Sequence, residues 1–503
     1  MPFFRPQSNF FAGRIPPPIS AVPARASTSV SYGLRQEITA RGAPIDENRY
    51  WYEFLASLAQ MRVEGVLDGQ DGHLTQTEKI TYRFHWLLLP IFLLLKPLFK
   101  KQKEDILRDD TALLEREYEL EQRGFKRVEV NLPRIVVYGG DGFFGRLVVR
   151  DLLENTRAEI LIASRDPKGL NFTGFERRVR QRQSDLNDQS SVLSAIDGAA
   201  AVVSCVGPFQ SQPLSILKTC VQRRIPYVDV ADDRDFVVRC HQISSEIREA
   251  GIPAFVGCSV VPGMSSLLTK FCQKEIPQIE RTRILISPGT RHPRGKGSFL
   301  CLLSTVGNEI PAPEGTGPTT IRGWTDRERV EFPPPMGNRW VYSVVDIADY
   351  FLQPKYFGVN EVEFKIGSEL FLLNFSLSVV RKLKRAAGAQ RIDWLTPIAR
   401  GLVLLMSPFG TSQGGVMVEV SGKGPDGSRK ILMSIFAEQH GEIIPAILPS
   451  VAAQMILQQK IPFSGIVPLP EWLSRETLAH ELTKRQAKIV INRGEGWTDI
   501  QGS

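Results

Sequence analysis

The sequence predicts an α/β chain with a parallel-sheet domain in its middle, a second α+β domain with a largely antiparallel sheet behind it, and an N-terminal helical extension. Three observations predict it. Short, continuous apolar runs recur from residue 135 to 257 with helical spacing between them, the alternation expected of βαβ units with a sheet buried on both faces. Later, Val416–Val420 and Lys430–Ile435 read as strands, and Ser421–Ser428 between them has the Gly, Pro and Asp of a hairpin. Nearer the start, Trp51–Leu58 and Lys79–Trp86 have helical spacing instead, with Asn48 or Asp46 as caps. The boundaries that follow are 1–36, 37–130, 131–268, 269–465 and 466–503.

Composition sets the class. Of 503 residues, 23% are charged and 42% hydrophobic, which suits a folded globular chain and excludes a collagen, a wholly disordered chain and a polytopic membrane protein. The net charge of +8 is mild for this length, and four arginines in the first 36 residues carry half of it, so no nucleic-acid partner is expected. All six cysteines lie between Cys205 and Cys301, with no C-x-x-C pair and no histidine ladder. A metal site and a disulfide framework are therefore not expected.

Residues 1–36 are rich in Arg and Ser and have no Asp, Glu or Lys before Glu37. That is the composition of an organelle transit peptide, and a plain disordered extension is its alternative. An organellar location follows, with a plastid preferred to a mitochondrion. In the helical extension 37–130, Trp86–Phe99 is an apolar run followed by Lys100, Lys101 and Lys103. It is too short for a bilayer, which needs about 20 residues. A helix lying in the membrane interface is the preferred reading, with buried packing and a membrane-spanning segment in a bundle as its rivals. Glu104–Lys126 reads as a charged connector helix.

The chemistry begins at Arg134. Ile135–Tyr138 is a buried-strand run that leads straight into Gly139–Gly145, and Arg146–Glu154 then has helical spacing. Gly140, Gly142 and Gly145 make G-x-G-x-x-G between a strand and a helix, the setting of a Rossmann-type dinucleotide turn. The first glycine permits the tight turn, the second lets backbone approach a pyrophosphate, and the third lets helix and strand pack closely. Phe143 and Phe144 lie within the turn, whose helix N-terminus suits phosphate. The second strand, Glu159–Ala163, ends in Ser164 and Arg165 where an NAD site would want an acid. Arginine pairs with a 2′-phosphate through its planar fork, so NADP is preferred. Asp166 follows directly and keeps NAD open. Further along, Asp185 and Leu186 fall at an adenine contact. Cys205, Val206 and Gly207 end the fourth strand, over the second ribose or nicotinamide. Asp229 and Cys258, ending later strands, point to the same cleft.

These residues carry a resemblance. GGDGFFGRLVVRDLL, ILIASRDP, SDLND, VVSCVGPFQSQPLSILKTCVQRRIPYVDVADD and FVGCSVVPGMSS together resemble the saccharopine dehydrogenase-like oxidoreductases, firmly over 134–268 and loosely beyond. The resemblance implies an NADP-binding Rossmann domain paired with a second sheet domain that closes over the cofactor, and hydride transfer between an amine-bearing adduct and an imine or carbonyl. No array of arginines and acids suited to a saccharopine-like dicarboxylate is evident. Arg281, Arg283, Arg291, Arg294 and Lys296 read as a solvated basic loop. Leu370–Val380 and Gly401–Met406 read as a greasy pocket, a membrane-facing surface or core. Residues 307–340, rich in Pro and Gly, read as a crossover or lid. A helix over Ala446–Gln458 should pack back on the first domain, and the tail from Ile466 should be a helical cap.

Two functional classes stay open. One is an NADP(H)-dependent oxidoreductase acting on a small or lipid-like substrate. The other is a non-catalytic nucleotide-binding scaffold or regulatory subunit of an organellar complex. Catalytic residues are not assigned: His241, His292, His440, Tyr227, Asp229 and Asp232 are the candidate proton donors, none preferred. A membrane surface through Trp86–Phe99 and a homodimer are the partners considered.

Overall fold

The computed structural model describes the backbone of strands between 25 and 84 and, with interruptions within 168–173, 293–304, 312–319, 344–345 and 387–394, residues 132–500. The chain divides into two units. In the first, β1 (Arg25–Tyr32), β2 (Leu34–Asp46), β3 (Arg49–Ala56), β4 (Ala59–Gln70) and β5 (His73–Phe84) form an antiparallel meander. Of the helices expected at 51–58 and 79–86, Trp51–Ala56 and Lys79–Phe84 are strands, and Arg25–Tyr32 pairs with Leu34–Arg41. Tyr50, Trp51, Tyr52 and Phe54, then Thr75, Thr77, Ile80, Thr81 and Tyr82, are aromatic and β-branched types that suit a pleated surface. The leader expected over 1–24, the apolar run Trp86–Phe99 and the connector helix lie outside the described residues.

The second unit opens with β6 (Arg134–Tyr138), α1 (Phe143–Asn155), β7 (Glu159–Ser164), β8 (Val179–Gln183), α2 (Gln189–Ile196) and β9 (Ala201–Ser204). It continues through α3 (Ser215–Arg223), β10 (Tyr227–Asp229), α4 (Arg234–Gln242), α5 (Ser244–Glu249), β11 (Pro253–Phe255) and α6 (Ser265–Gln273). The single helix expected over 235–250 is two, separated at Ile243. Side chains start several helices: Asp188 accepts from the first-turn N–H groups of α2, and Asp233 does so for α4. The sheet order is β20-β11-β10-β9-β6-β7-β8, and every pairing is parallel. Strand order reverses between β6 and β9, so the crevice beyond their carboxyl ends is where a doubly wound sheet places a ligand. Val136, Val202, Leu217 and Tyr227 belong to the buried core of this sheet and its helices.

The second sheet takes β12 (Gln278–Pro288), β15 (Thr325–Phe332), β16 (Gly337–Ser343), β17 (Glu361–Ile366), β18 (Gly414–Gly424) and β19 (Gly427–Ala437). A small pair, β13 (Glu309–Pro311) and β14 (Thr320–Arg322), precedes β15, while α7 (Asp349–Phe357), α8 (Phe371–Ala386), α9 (Thr396–Met406) and α10 (Ile444–Leu457) complete this part. After β20 (Gly465–Ile466) come α11 (Arg475–Lys484), β21 (Ala487–Asn492) and β22 (Trp497–Asp499). The order β15-β16-β17-β12-β18-β19-β21-β22 is antiparallel except where β12 meets β17. The α/β reading and the 416–435 hairpin are borne out.

Three local readings are corrected. Residues 325–343 are a sheet hairpin rather than a lid, because Val330, Phe332, Val341 and Tyr342 have apolar surface to bury. The tail adds one strand, β20, to the parallel sheet and two, β21 and β22, to the second sheet besides its helix. Arg281 and Arg283 do not form a solvated loop but lie in β12, paired with Glu361 and Glu363 of β17, Glu419 of β18 and Glu328 of β15. Arg294 and Lys296 lie outside the described residues.

The two sheets meet through helices. As expected, α10 packs against α1 and β9. Arg485, just past α11, clamps α1: its guanidinium donates to both Asp151 oxygens and, at 2.6 Å, to Glu481, with Arg485 and Asp151 both buried. Burial pushes the Asp151 carboxyl up, and the arginine beside it opposes that shift.

Candidate functional site

The glycine turn sits at the reversal of strand order. Gly139, not Gly140, is in the left-handed region at φ +69°, and its N–H donates to Ala163 O at 2.9 Å. A Cβ on Gly139 would stand 3.0 Å from Cys205 O. The tight-turn role expected of Gly140 therefore belongs one residue earlier, where the chain must bend between two strands. Gly140 is needed for packing: its Cβ would meet Ile162 and Val149 methyls at 3.1 Å. At Gly145 the requirement is stricter, since a Cβ would fall 2.0 Å from Gly139 O. Gly142 precedes α1 with no side chain capping the helix, whose first turn also holds no acid. Those N–H groups and the positive end of the helix dipole suit an anion. Phe143 and Phe144 pack edge to face at 5.1 Å, and Phe144 remains exposed beside the turn.

At the end of β7, Ser164 Oγ is buried with no hydrogen-bond partner. Arg165 beside it is exposed and, among the described residues, carries neither an ion pair nor a side-chain hydrogen bond. An unpartnered hydroxyl and a free guanidinium at this position fit a ribose 2′-phosphate. Past β8, the Asp185 carboxylate takes both Asn187 N–H groups, backbone at 3.0 Å and side chain at 3.1 Å, and so is engaged in its own turn. Leu186 is half-buried against the sheet core. Tyr138, under this region, shares a 3.3 Å hydrogen bond with Ser184, and burial pushes its hydroxyl up to about 12.

The ends of β6, β9 and β10 are in register, Tyr138 opposite Ser204 and Ser204 opposite Asp229. Cys205 follows, its N–H donating to Tyr138 O at 2.8 Å, and Val206 and Gly207 carry the chain outward, half-buried and exposed respectively. Burial, helped by the Asp229 carboxylate, pushes the Cys205 thiol up to about 12 and raises that of Cys258 as well. Neither is a thiolate near neutral pH, so neither is a nucleophile. Asp229 is wholly buried, and one oxygen accepts from Ala231 N at 3.0 Å and Gly257 N at 2.7 Å. Burial pushes it up to about 6. It ties the loop after β10 to the loop after β11, a positioning role rather than a place on the cleft wall.

The other candidate donors separate. Tyr227 is buried. His241 bonds Lys355 at 2.7 Å, and burial lowers it to about 4, so it is neutral and structural. Asp232 is exposed, and its backbone carbonyl accepts from Ala348 N. His292 and His440, 148 positions apart, converge on Glu442 at 3.6 and 3.3 Å. Spacing alone could not bring them together: β12 and β18 bring the 289–292 turn against 412–414, where the His292 ring fills the space beside Gly289 and Gly414. Sequence reading also missed Gly139 and the Arg485 clamp.

Residues 135–250 match the family described as saccharopine dehydrogenase NADP binding domain. Among solved structures, apo saccharopine dehydrogenase (L-Glu forming) from Saccharomyces cerevisiae aligns at a TM-score of 0.50 with 13% identity, over 71% of this chain and 100% of that one. Homospermidine synthase from Legionella pneumophila, in complex with NAD, aligns at 0.48 with 10% identity, over 74% and 93%. An engineered D-amino acid dehydrogenase bound to NADP+ aligns at 0.37 with 16% identity, over 71% and 99%. No curated protein matches in sequence. The yeast structure shows the shared two-sheet fold. Over residues 135–250, then, the chain is similar to the saccharopine dehydrogenase NADP binding domain.

Proposed function

We propose that this protein is an NADP(H)-dependent oxidoreductase that acts on a small or lipid-like substrate and works as a peripheral membrane protein of an organelle, a plastid in preference to a mitochondrion. The observation that carries the cofactor reading is the glycine turn at the strand reversal, with an uncapped α1 and the unpartnered Ser164 hydroxyl and Arg165 guanidinium beyond β7. NADP(H) supplies the hydride when bound. The chain's own residues do the rest. Gly142 lets backbone approach the pyrophosphate, and Ser164 and Arg165 select the 2′-phosphate. Cys205–Gly207 forms the floor at the reacting end, and Asp229 fixes the loops beside it.

One observation favours the scaffold reading. Of the candidate donors at these strand ends, Tyr227 and Asp229 are both buried away from the cleft. Titration of the full chain with NADPH and NADH, followed by cofactor fluorescence, tests the first reading. Tight NADPH binding, weakened about 10- to 100-fold in Arg165→Ala while NADH binding stays unchanged, is expected. Binding of neither cofactor refutes it. Binding without oxidation of NADPH across a carbonyl and imine panel supports the scaffold.

A further inference from the structure

Ten large apolar side chains stand exposed among the described residues, and nine of them lie between Phe371 and Phe409. On α8 they are Phe371, Leu372, Phe375, Val379 and Leu383, and on α9 and the turn after it Ile398, Leu404, Leu405 and Phe409, between 37% and 74% exposed. Phe371, Phe375, Val379 and Leu383 recur at i+4, with Lys382 beside them, so one face of α8 points outward as a stripe. Its opposite face is already occupied. Leu373 and Leu377 join Leu402 and Val403 of α9 around an apolar cleft against Trp324 and Pro288. The outer stripe is therefore surplus to the fold, and a contiguous apolar surface of this kind marks an interaction site.

Charge says what covers it. Residues 371–409 hold six Lys and Arg against a single acid, Asp393. Lys382 and Arg385 are exposed at the end of the α8 stripe. Arg291 is exposed as well, its guanidinium donating to Ser407 O and Pro408 O beside Phe409. An apolar face rimmed by cations, on helices of 16 and 11 residues, is matched to an anionic lipid surface rather than to the interior of a bilayer. Among the described residues no helix is long and apolar enough to cross a membrane.

We infer that the outer face of α8 and α9 docks the protein on anionic membrane lipid, with the apolar side chains entering the interface and Lys382, Arg385 and Arg291 meeting the head groups. This docking does not depend on hydride transfer.

Flotation of the full chain with phosphatidylcholine vesicles, with and without phosphatidylglycerol, is the test. The wild type floats with the anionic vesicles, and high salt or omission of phosphatidylglycerol weakens binding. The double change Leu404→Glu and Leu405→Glu lowers the bound fraction about tenfold or more. Lys382→Glu with Arg385→Glu removes the preference for phosphatidylglycerol. NADPH binding stays unchanged in both, which separates loss of docking from loss of fold. Three results overturn the inference. They are no flotation of the wild type, flotation lost in Leu93→Glu with Leu94→Glu but kept in the Leu404/Leu405 variant, or a wild-type dimer in sedimentation that the Leu404/Leu405 change dissociates.

Discussion

Alanine at Gly145 tests the glycine turn with the smallest possible perturbation, one methyl group. The new Cβ would lie 2.0 Å from Gly139 O and 2.7 Å from both Gly139 C and Gly140 Cα, while an ordinary contact starts at 3.4 Å. Each of these neighbours is backbone, so no side chain can swing away. Either α1 retreats by about 1.4 Å or the turn opens by that amount. Overpacking of this kind costs about 1–3 kcal/mol of stability. The same retreat carries the first-turn N–H groups away from the pyrophosphate, and a misplacement of about 1 Å is worth roughly a hundredfold where geometry is tightly set. Gly145→Ala should therefore melt a few degrees below the wild type and bind NADPH about 100-fold more weakly by fluorescence titration. Gly401→Ala is the control, because its Cβ meets nothing within 4 Å in an exposed helix. There alanine should stabilise by about 0.5–1 kcal/mol and leave NADPH binding alone. Wild-type affinity and melting in Gly145→Ala would refute the packing argument.

Further outcomes follow from the same structure. Gly142→Ala should separate the two effects, since its Cβ meets only Gly139 O at 3.1 Å. Calorimetry should show near-normal stability while NADPH titration shows at least about tenfold weaker binding. Asp349 is wholly buried; one oxygen accepts from Ser265 and Gln353, the other from nothing, and burial pushes it from 3.8 up to about 6. The folded state keeps that proton longer than the unfolded chain, so this contribution is full below about pH 3.8 and gone above about pH 6. Asp349→Asn should stabilise by ~1–3 kcal/mol near pH 7 and little near pH 4, read by urea denaturation at both values. Arg485→Ala leaves Asp151 buried without its cation and should cost about 3–5 kcal/mol, whereas Arg485→Ala with Asp151→Leu should recover much of it.

Legibility followed the range of the interactions. The strand–glycine–helix run from Ile135 to Glu154 could be read directly, because a parallel strand buried on both faces is continuously apolar and its turn is local. Arg165 could be placed because it directly follows the second strand. Gly139 was passed over because the backbone that a Cβ there would meet is that of Cys205, 66 positions away just past the neighbouring strand β9. The Arg485–Asp151 clamp and the meeting of His292 with His440 were out of reach for the same reason, being created by the way α11 and β18 return to earlier elements. Residues 325–343 misled because Pro333, Pro334, Pro335 and Gly337 signal a loop, whereas they mark only the turn of a hairpin. Apolar content alone could not say whether Phe371–Met406 was core. That depended on which face of each helix the cleft beside Trp324 had already taken.

The parallel sheet is not made from one stretch of sequence. Its seventh strand, β20, comes from residues 465–466, and α10, which covers α1 and β9, begins at Ile444, 240 residues after β9 ends at Ser204. At a translation rate of roughly 5–20 residues per second, a nascent chain would hold that apolar face open for about 12–48 seconds before its cover emerged. Residues 131–268 expressed alone would lack both the cover and the edge partner of β11, leaving a sticky face and an unpaired strand. The sheet domain is thus a late product of synthesis, and its solubility on the ribosome depends on chaperones or on provisional partners within the same chain.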